Sequence, residues 1–183
     1  MTCSLVVNSK SGNTRMVSGA IKRTLQAAGV EFVHAAALSD DADADQVALE
    51  AQGACAADTV LVGFWCDKGA CTPSVAALLS ALHGKRVFLF GTCGFGASEE
   101  YFRQIIDRVS SNLANDAELA GWAMCQGKMG PAVKQRYEAM LERDPENARF
   151  KMLLDNWVAA KGHPTKEDLD NMAAAAKKAV LGE

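Results

Sequence analysis

Two kinds of hydrophobic pattern alternate along this chain. Short continuous apolar runs predict strands buried on both faces, and segments with apolar residues every three or four positions predict amphipathic helices. The predicted strands lie, in chain order, at Cys3–Asn8, Val30–Ala36, Asp58–Trp65, Val87–Phe90 and Leu119–Cys125. The helices between them are predicted at Asn13–Ala28, Gln46–Gln52, Ser74–Leu82 and Ser98–Leu113. Strands separated by helices indicate a parallel sheet with right-handed crossovers, and therefore an α/β fold.

The pattern changes after the fifth strand. Helical spacing predicts one helix at Pro131–Leu141, and the pair Asp144-Pro145 predicts the start of a second. A capping pair, Thr165 and Asp168, begins the last helix. We interpret residues 131–162 as a helical insert, because a connection of roughly 35 residues is too long for a simple link. Its apolar stripes either pack on the flank of the sheet or form a rim beside a ligand site that selects a partner.

The segment Ser9-Lys10-Ser11-Gly12-Asn13-Thr14 joins the first predicted strand to the first predicted helix. Hydroxyl groups and a glycine at a helix start offer hydrogen-bond donors and an accessible backbone to an anion, with the positive end of the helix dipole behind them. The first strand-to-helix turn of an α/β sheet is also where mononucleotide phosphates bind. No Walker lysine and no G-x-G-x-x-G accompany the loop, which favours a phosphate monoester held without metal. The alternative is a plain turn and helix cap.

The other strand ends add candidates at the same edge of the sheet. Trp65 offers a flat apolar surface for an aromatic ring, or else packs in the core. The turn Cys66–Gly69 follows it, and Gly69 permits a positive φ. Residues 91–97 and 126–128 follow the next two strands. We interpret three glycines as allowing the backbone to approach a planar ligand: Gly91, Gly94 and Gly96.

Four cysteines also lie near the carboxyl ends of these strands: Cys66, Cys71, Cys93 and Cys125. Four thiolates can hold zinc or an iron–sulfur cluster, but the spacing contains no C-x-x-C pair, so we expect free thiols and no metal. The three histidines are scattered, at His34, His83 and His163, and form no visible catalytic constellation.

Composition narrows the class of protein. The 183 residues, 49% hydrophobic, are enough for one core, so we expect a single domain over 1–183. A net charge of −3 argues against binding to nucleic acids or anionic membranes. No apolar run reaches the ~18 residues of a membrane span and no signal pattern occurs, so we expect a cytoplasmic monomer. The acidic stretch Ser39–Asp45 is predicted to be a solvated loop.

These motifs resemble the flavodoxin family. Ser9–Thr14 matches its FMN-phosphate motif [ST]-x-[ST]-G-N-T. Phe64-Trp65, Asp67-Lys68-Gly69, Phe90-Gly91-Thr92 and Cys125-Gln126-Gly127-Lys128 are similar to a flavodoxin-like subgroup, some of whose members are encoded beside bilirubin-type reductases. The resemblance covers about Met1–Lys128 and the final helix. It implies a doubly wound five-stranded parallel sheet of order 2-1-3-4-5. The helical insert between the fifth strand and the last helix, predicted above, matches the plain flavodoxins poorly.

The resemblance also implies FMN as the cofactor. Ser9, Ser11, Gly12, Asn13 and Thr14 would hold its phosphate, Trp65 would flank the ring, the Cys66–Gly69 backbone would meet flavin N5, and Thr92–Phe95 would line the other side. The implied contact residues are Ser9, Lys10, Ser11, Gly12, Asn13, Thr14, Trp65, Cys66, Asp67, Lys68, Gly69, Thr92, Cys93, Gly94 and Phe95.

The family's activity implies an electron carrier between a donating reductase and an accepting reductase. In that mechanism a peptide turns toward N5, and an anionic, apolar site lowers the potential of the bound flavin. This chain departs in two respects. It is less acidic than typical flavodoxins, so steering to a partner should be weaker, and its second ring-binding loop lacks an obvious tyrosine, for which Phe95 or Tyr101 can substitute.

Two other functional classes share the topology. An FMN-dependent NAD(P)H oxidoreductase of the flavin or quinone reductase type stays open as the alternative, although such enzymes usually bind FMN through a first loop richer in arginine. A phospho-receiver domain is excluded, because it needs paired acidic residues where this first strand ends in Asn8-Ser9.

Overall fold

Five parallel strands form a single sheet in this protein, whose computed structural model describes residues 1–96 and 98–182. The spatial order is β2-β1-β3-β4-β5, which confirms the predicted topology. The strands are β1 (Thr2–Val7), β2 (Glu31–Ala37), β3 (Thr59–Trp65), β4 (Arg86–Cys93) and β5 (Glu118–Gln126).

Seven helices connect and follow these strands within the described residues. They are α1 (Asn13–Ala27), α2 (Ala44–Ala54), α3 (Pro73–Ser80), α4 (Glu99–Ser110), α5 (Pro131–Arg143), α6 (Ala148–Ala160) and α7 (Lys166–Leu181). The insert thus contributes α5 and α6 between β5 and α7, as predicted. None of the described helices combines the length and apolarity that crossing a membrane requires.

The sheet buries apolar side chains on both faces, which is why β3 reads as a continuous apolar run. One core lies under α1 and α7 and includes Val17, Ile21 and Ala176. The other lies under α2, α3 and α4 and includes Leu78 and Ile105. Because helices pack on both faces, the strands are held in place. The loops that follow their carboxyl ends therefore start from one rigid edge of the sheet.

Two glycines in the centre of the sheet serve packing. Gly63 is paired with Phe90 and Gly91 with Phe64 across β3 and β4. A Cβ on Gly91 would lie 2.7 Å from the Phe64 ring, and one on Gly63 would lie 2.4 Å from the Phe90 ring. The interpretation of Gly91 as a site for ligand approach is therefore wrong, since the phenylalanine of the neighbouring strand occupies that space.

Several predicted boundaries shift. β4 continues through Thr92 and Cys93, because β5 pairs with it as far as Gln126. The start of α6 at Asp144-Pro145 is wrong: Asn147 caps that helix, accepting from the main-chain N–H groups of Arg149 and Phe150. The side-chain cap at Asn147 decides at which residue α6 begins, and the position of a proline alone does not reveal such a cap.

Candidate functional site

A cleft of about 700 Å³ opens at the carboxyl ends of the strands. This volume is within the range of small-molecule and cofactor sites. The lining residues come from the β1–α1 loop, the ends of β3 and β4, α4 and the insert: Lys10, Ser11, Asn13, Trp65, Cys66, Asp67, Lys68, Gly69, Thr92, Cys93, Gly94, Phe95, Tyr101, Arg108, Gly127, Lys128, Met129, Gly130, Val133, Arg136 and Tyr137.

The structure brings most of the predicted site residues into this one cleft. Three of them belong to the same loop but do not line its wall: Ser9, Gly12 and Thr14. The Ser9 hydroxyl instead accepts a hydrogen bond from the Arg15 main-chain N–H at 3.2 Å. Of the predicted segment 91–97, Ala97 lies outside the described residues.

Gly12 shapes the start of α1. It adopts φ +89°, in the left-handed region, and forms the N-cap without any side-chain capping bond. A Cβ at this position would meet no atom within 4 Å, so the conformation rather than the space calls for glycine. The first N–H groups of a helix have no acceptor within the helix. Here the Ser9 hydroxyl binds the N–H of Arg15, whereas no side chain of the described residues caps those of Asn13 and Thr14. Two uncapped N–H groups at a helix start are suited to an anion, while the bond from Arg15 to Ser9 is the contact that the plain-cap alternative expects.

Asn13 and Thr14 fix this helix start to distant parts of the chain. The Asn13 amide donates to the Ser11 hydroxyl at 3.0 Å and to the Lys128 carbonyl at 2.9 Å. The Thr14 hydroxyl lies 2.9 Å from that of Thr92 at the end of β4. Asn13 Oδ1 is buried without a hydrogen-bond partner among the described residues, which leaves one acceptor available to a ligand.

Trp65 stands at the mouth of the cleft and is half-buried. Its indole N–H donates to an Asp40 carboxylate oxygen at 2.8 Å, and the Lys10 ammonium lies 4.7 Å from the ring centroid. The same Asp40 oxygen accepts from the Asn8 amide at 2.8 Å. Asp40 thus orients the tryptophan, and the prediction of a solvated Ser39–Asp45 loop is wrong at this residue. Nothing in the sequence distinguishes Asp40 from its acidic neighbours.

The turn after Trp65 is closed by two hydrogen bonds. The Asp67 N–H donates to the Ala70 carbonyl at 2.8 Å, and the Ala70 N–H donates to the Asp67 carbonyl at 2.9 Å. Lys68 (φ +50°) and Gly69 (φ +85°) between them are both left-handed, as in a type I′ turn. The Arg108 guanidinium donates to the Gly69 carbonyl at 2.8 Å and orients this peptide. No pattern in the sequence marks Arg108 as a site residue, because it lies on α4, far from the turn along the chain.

Two thiols meet at the floor of the cleft. The Cys93 thiol donates to the Phe95 carbonyl at 3.2 Å. Interaction with the neighbouring Cys66 thiol lowers the pKa of Cys93. The same interaction, together with burial, raises the pKa of Cys66. Tyr101 also contacts Cys93, and burial raises the pKa of its phenol to about 12. Among the described residues, no group of three or more histidine, cysteine or acidic side chains is arranged to hold a metal ion.

Two aromatic residues face the cleft on the β4 side. Phe95 and Tyr101, the proposed substitutes for the missing tyrosine, lie edge-to-face with their centroids 6.1 Å apart. Gly96 (φ +77°) abuts Tyr101, and a Cβ there would lie 2.8 Å from its ring. A Cβ on Gly94 would lie 2.5 Å from Met129. These two glycines therefore leave room for side chains of the protein itself, and their interpretation as points of ligand approach stays a prediction.

The insert forms part of the cleft. Val133, Arg136 and Tyr137 of α5 line it, and Tyr137 is buried. From α6, the Asn156 amide donates to the Gly94 carbonyl at 2.9 Å. Its Oδ1 accepts from Gln126 at 3.1 Å and from the Gly96 N–H at 3.3 Å. Of the two predicted placements, the structure shows the insert beside the site, where Asn156 supports the β4–α4 loop.

The charged residues of the lining are mostly cationic. They are Lys10, Lys68, Arg108, Lys128 and Arg136, with Asp67 as the single carboxylate among the described lining residues. The family's usual mechanism implies an anionic site, but the charged side chains that line this cleft are mostly cationic. The net charge of −3 on the whole chain therefore does not describe the cleft.

Comparison with known proteins identifies the family that this fold and cleft belong to. The model of the flavodoxin domain matches residues 4–177. The chain belongs to the flavodoxin family. A flavodoxin-like domain-containing protein BilS of Clostridium symbiosum (strain WAL-14163) is 34% identical over 92% of this chain and 90% of that protein. The protein of the same name from Clostridioides difficile (strain CD3) is 32% identical over 68% and 70%, respectively.

Among solved structures, oxidised flavodoxin 2 from Bacillus cereus is similar with a TM-score of 0.51 and 18% identity over 99% of both chains. This likeness shows the flavodoxin fold. Membership in the family implies a flavin cofactor, usually FMN, and flavodoxins generally transfer electrons to partner proteins. The two uncapped N–H groups at the α1 start fit an anionic phosphate ester, and the half-buried tryptophan at the mouth of the cleft fits a flavin ring.

Proposed function

We propose that this flavodoxin binds FMN in the cleft and carries electrons from a donating reductase to an accepting reductase. The chain would act as one domain, in which the sheet edge holds the cofactor and the insert borders it. The observation that carries the proposal is the α1 start, where no side chain of the described residues caps the N–H groups of Asn13 and Thr14, beside a cleft with Trp65 at its mouth.

The β1–α1 loop supplies the phosphate contacts in this proposal. The phosphate would be held by the main-chain N–H groups of Asn13 and Thr14 that follow Gly12 and by the hydroxyls of Ser9, Ser11 and Thr14, with the Lys10 ammonium nearby. The side-chain amide of Asn13 would position this loop, since it already donates to Ser11 and to the Lys128 carbonyl. These groups already have fixed positions, because Asn13 is bound to the Lys128 carbonyl and Thr14 to Thr92. Preformed donors bind a ligand without a further ordering cost.

The rest of the cleft would hold the isoalloxazine ring. Trp65, oriented by Asp40, would cover one face, and the Thr92–Phe95 segment would line the opposite side. FMN supplies reversible electron-transfer chemistry when bound. The chain's own contribution is to exclude water with Trp65 and Phe95, and to present the main chain of Cys66–Gly69 at the ring edge.

The orientation of that main chain would depend on Arg108. Its hydrogen bond to the Gly69 carbonyl holds the peptide, while Gly69, which lacks a side chain, allows the peptide to change direction at low cost. Arg108 is therefore a positioning residue for any polar contact between this turn and the cofactor.

The decisive test is a titration of the flavin-free protein with FMN and with riboflavin, followed by flavin fluorescence. We expect a yellow complex with one FMN and much weaker binding of riboflavin, because the phosphate contacts are lost. Hydrogen bonds to a charged group contribute ~1.5–3 kcal/mol each, so the difference should reach ~10²-fold or more. Equal affinities would refute the phosphate assignment.

Two further measurements separate the proposed roles. Flavin fluorescence should be strongly quenched in the wild type and partly restored in Trp65→Ala, whereas an unchanged yield would remove Trp65 from the ring site. NADPH oxidation by the purified FMN complex alone should be negligible for a carrier. Rapid turnover would favour the NAD(P)H oxidoreductase alternative.

A further inference from the structure

Four cations surround the mouth of the cleft and are called here the cationic rim: Lys68, Arg108, Lys128 and Arg136. All four are exposed. They belong to four different segments, namely the turn after β3, α4, the β5–α5 loop and α5. Residues that are distant in sequence therefore converge on one opening.

The charges of the cationic rim are not neutralised within the protein. In the part of the chain that the structure describes, none of the four forms an ion pair with a carboxylate within 4.0 Å. Arg108 bonds the neutral Gly69 carbonyl, and Arg136 lies 5.4 Å from the Tyr137 ring centroid. Lys10 differs, since its ammonium is 4.0 Å from Asp40 and close to Trp65.

The positions of the four side chains favour a large binding partner rather than a small anion. A tight site for a small dianion needs buried donors that converge on one point, whereas these side chains are exposed and spread around the opening. Exposed unpaired charges contribute little to fixed binding, but they steer association and orient a complementary surface. A protein that exchanges electrons at this opening must approach across these four side chains.

We propose that the cationic rim docks an acidic surface of the redox partner protein over the cleft. This inference rests on the proposed electron-carrier function and names the polarity of its partner. The net charge of the chain is only −3, so the field at the opening is set by the nearby cations of the rim, and an acidic protein is attracted there at low salt. Docking therefore depends on orientation, with the partner's acidic patch facing the rim.

The test uses one electron acceptor in two charge states: native cytochrome c, which is basic, and the same protein with its lysines succinylated, which is acidic. The reduced FMN complex is mixed with each form and haem reduction is followed by stopped flow at increasing ionic strength. We expect the acidic form to be reduced ~10-fold faster at low salt, with its rate falling as salt is added. An acidic form that is slower, or whose rate rises with salt, would overturn the proposal.

Charge reversal at the rim identifies the surface. In Lys128→Glu/Arg136→Glu the preference for the acidic form should disappear. The control Arg23→Glu/Lys178→Glu changes the net charge equally, at exposed positions of α1 and α7, and should retain the preference. If both variants lost the preference for the acidic form equally, net charge would explain the effect and docking at the cationic rim would be refuted.

A flavin-free arm keeps the two proposals separate. Binding of succinylated cytochrome c to the flavin-free protein, measured by calorimetry at low salt, should be weakened by the rim variant alone. A chain that takes no FMN yet shows this pattern would refute the electron-carrier function and support the docking surface. Equal binding by the rim variant would refute the docking surface. Sedimentation with phosphatidylglycerol-containing vesicles or binding to duplex DNA at physiological salt would show a general polyanion site and would also overturn the proposal.

Discussion

The inner wall of the cleft and the cationic rim are built in opposite ways. Asn13 on the inner wall and its neighbour Thr14 are 5% and 0% exposed and are hydrogen-bonded to groups on other segments. On the rim, Lys68, Lys128 and Arg136 are exposed and lack carboxylate partners among the described residues. Buried hydrogen bonds fix positions, whereas exposed charges act through a long-range field. The inner wall is therefore suited to a ligand of fixed shape, and the cationic rim is suited to a protein surface that binds only transiently.

The largest effect is expected from the wall. Asn13→Ala together with Thr14→Ala removes two polar side chains at the α1 start and should weaken FMN binding by ~10²-fold or more. The measurement is a fluorescence titration of the flavin-free protein. Ser18→Ala is the control on the same helix, since the Ser18 hydroxyl only donates to the Arg15 carbonyl at 2.8 Å. Unchanged affinity in the double variant would place the phosphate elsewhere.

Asn156 tests whether the insert is part of the wall or only borders the rim. Asn156→Ala leaves the Gly94 carbonyl, the Gly96 N–H and the Gln126 amide without this partner. We expect a loss of ~1–3 kcal/mol in the free energy of unfolding, measured by urea denaturation, and weaker FMN binding. Asn171→Ala, at an exposed position of α7, should change stability by no more than ~0.5 kcal/mol. Equal effects would mean that Asn156 does not support the loop.

Alkaline pH should lower the free energy of unfolding through the buried thiol of Cys125. Burial, with a smaller contribution from Asp168, raises the pKa of Cys125 to about 12 from an ordinary 9.0. Above pH 9 the unfolded chain loses a proton that the folded chain keeps. The stability contributed by the protonated thiol is therefore complete below pH 9 and is lost as pH rises toward 12, by ~1.4 kcal/mol per pH unit.

Urea denaturation between pH 9 and 11 measures this slope. Cys125→Ala should flatten it relative to the wild type. The control Val180→Ala removes buried apolar volume from the same core without an ionisable group, so its slope should remain that of the wild type. Parallel slopes in all three proteins would contradict the raised pKa.

The smallest effect concerns backbone strain on the rim. Lys68 adopts φ +50°, which costs a residue with a side chain more than it costs glycine. Lys68→Gly should raise the free energy of unfolding by up to ~1 kcal/mol. The same change at Lys128, which is not among the residues with positive φ, should lower it. A destabilised Lys68→Gly protein would show that the side chain itself holds the turn.

The sheet and most of the site could be predicted because both follow from local patterns. Apolar runs separated by helical patterns led to the five strands, and Ser9–Thr14 and Trp65 mark strand ends in the sequence itself. Asp40, Arg108 and Asn156 could not be predicted. Each contributes a single polar side chain from another element, and no local pattern separates it from solvated residues of the same type.

By itself, therefore, the sequence determined the order of strands and helices and the positive φ of Gly69 in the turn after β3, because hydrophobic periodicity and backbone conformation are local properties. Only the tertiary structure decided what surrounds the cleft. Folding brought α5 beside the turn Asp67–Ala70, placed Phe64 over Gly91, and set Cys66 against Cys93. It also gathered four cations around one opening of an anionic chain, since charge in space depends on which loops the sheet brings together.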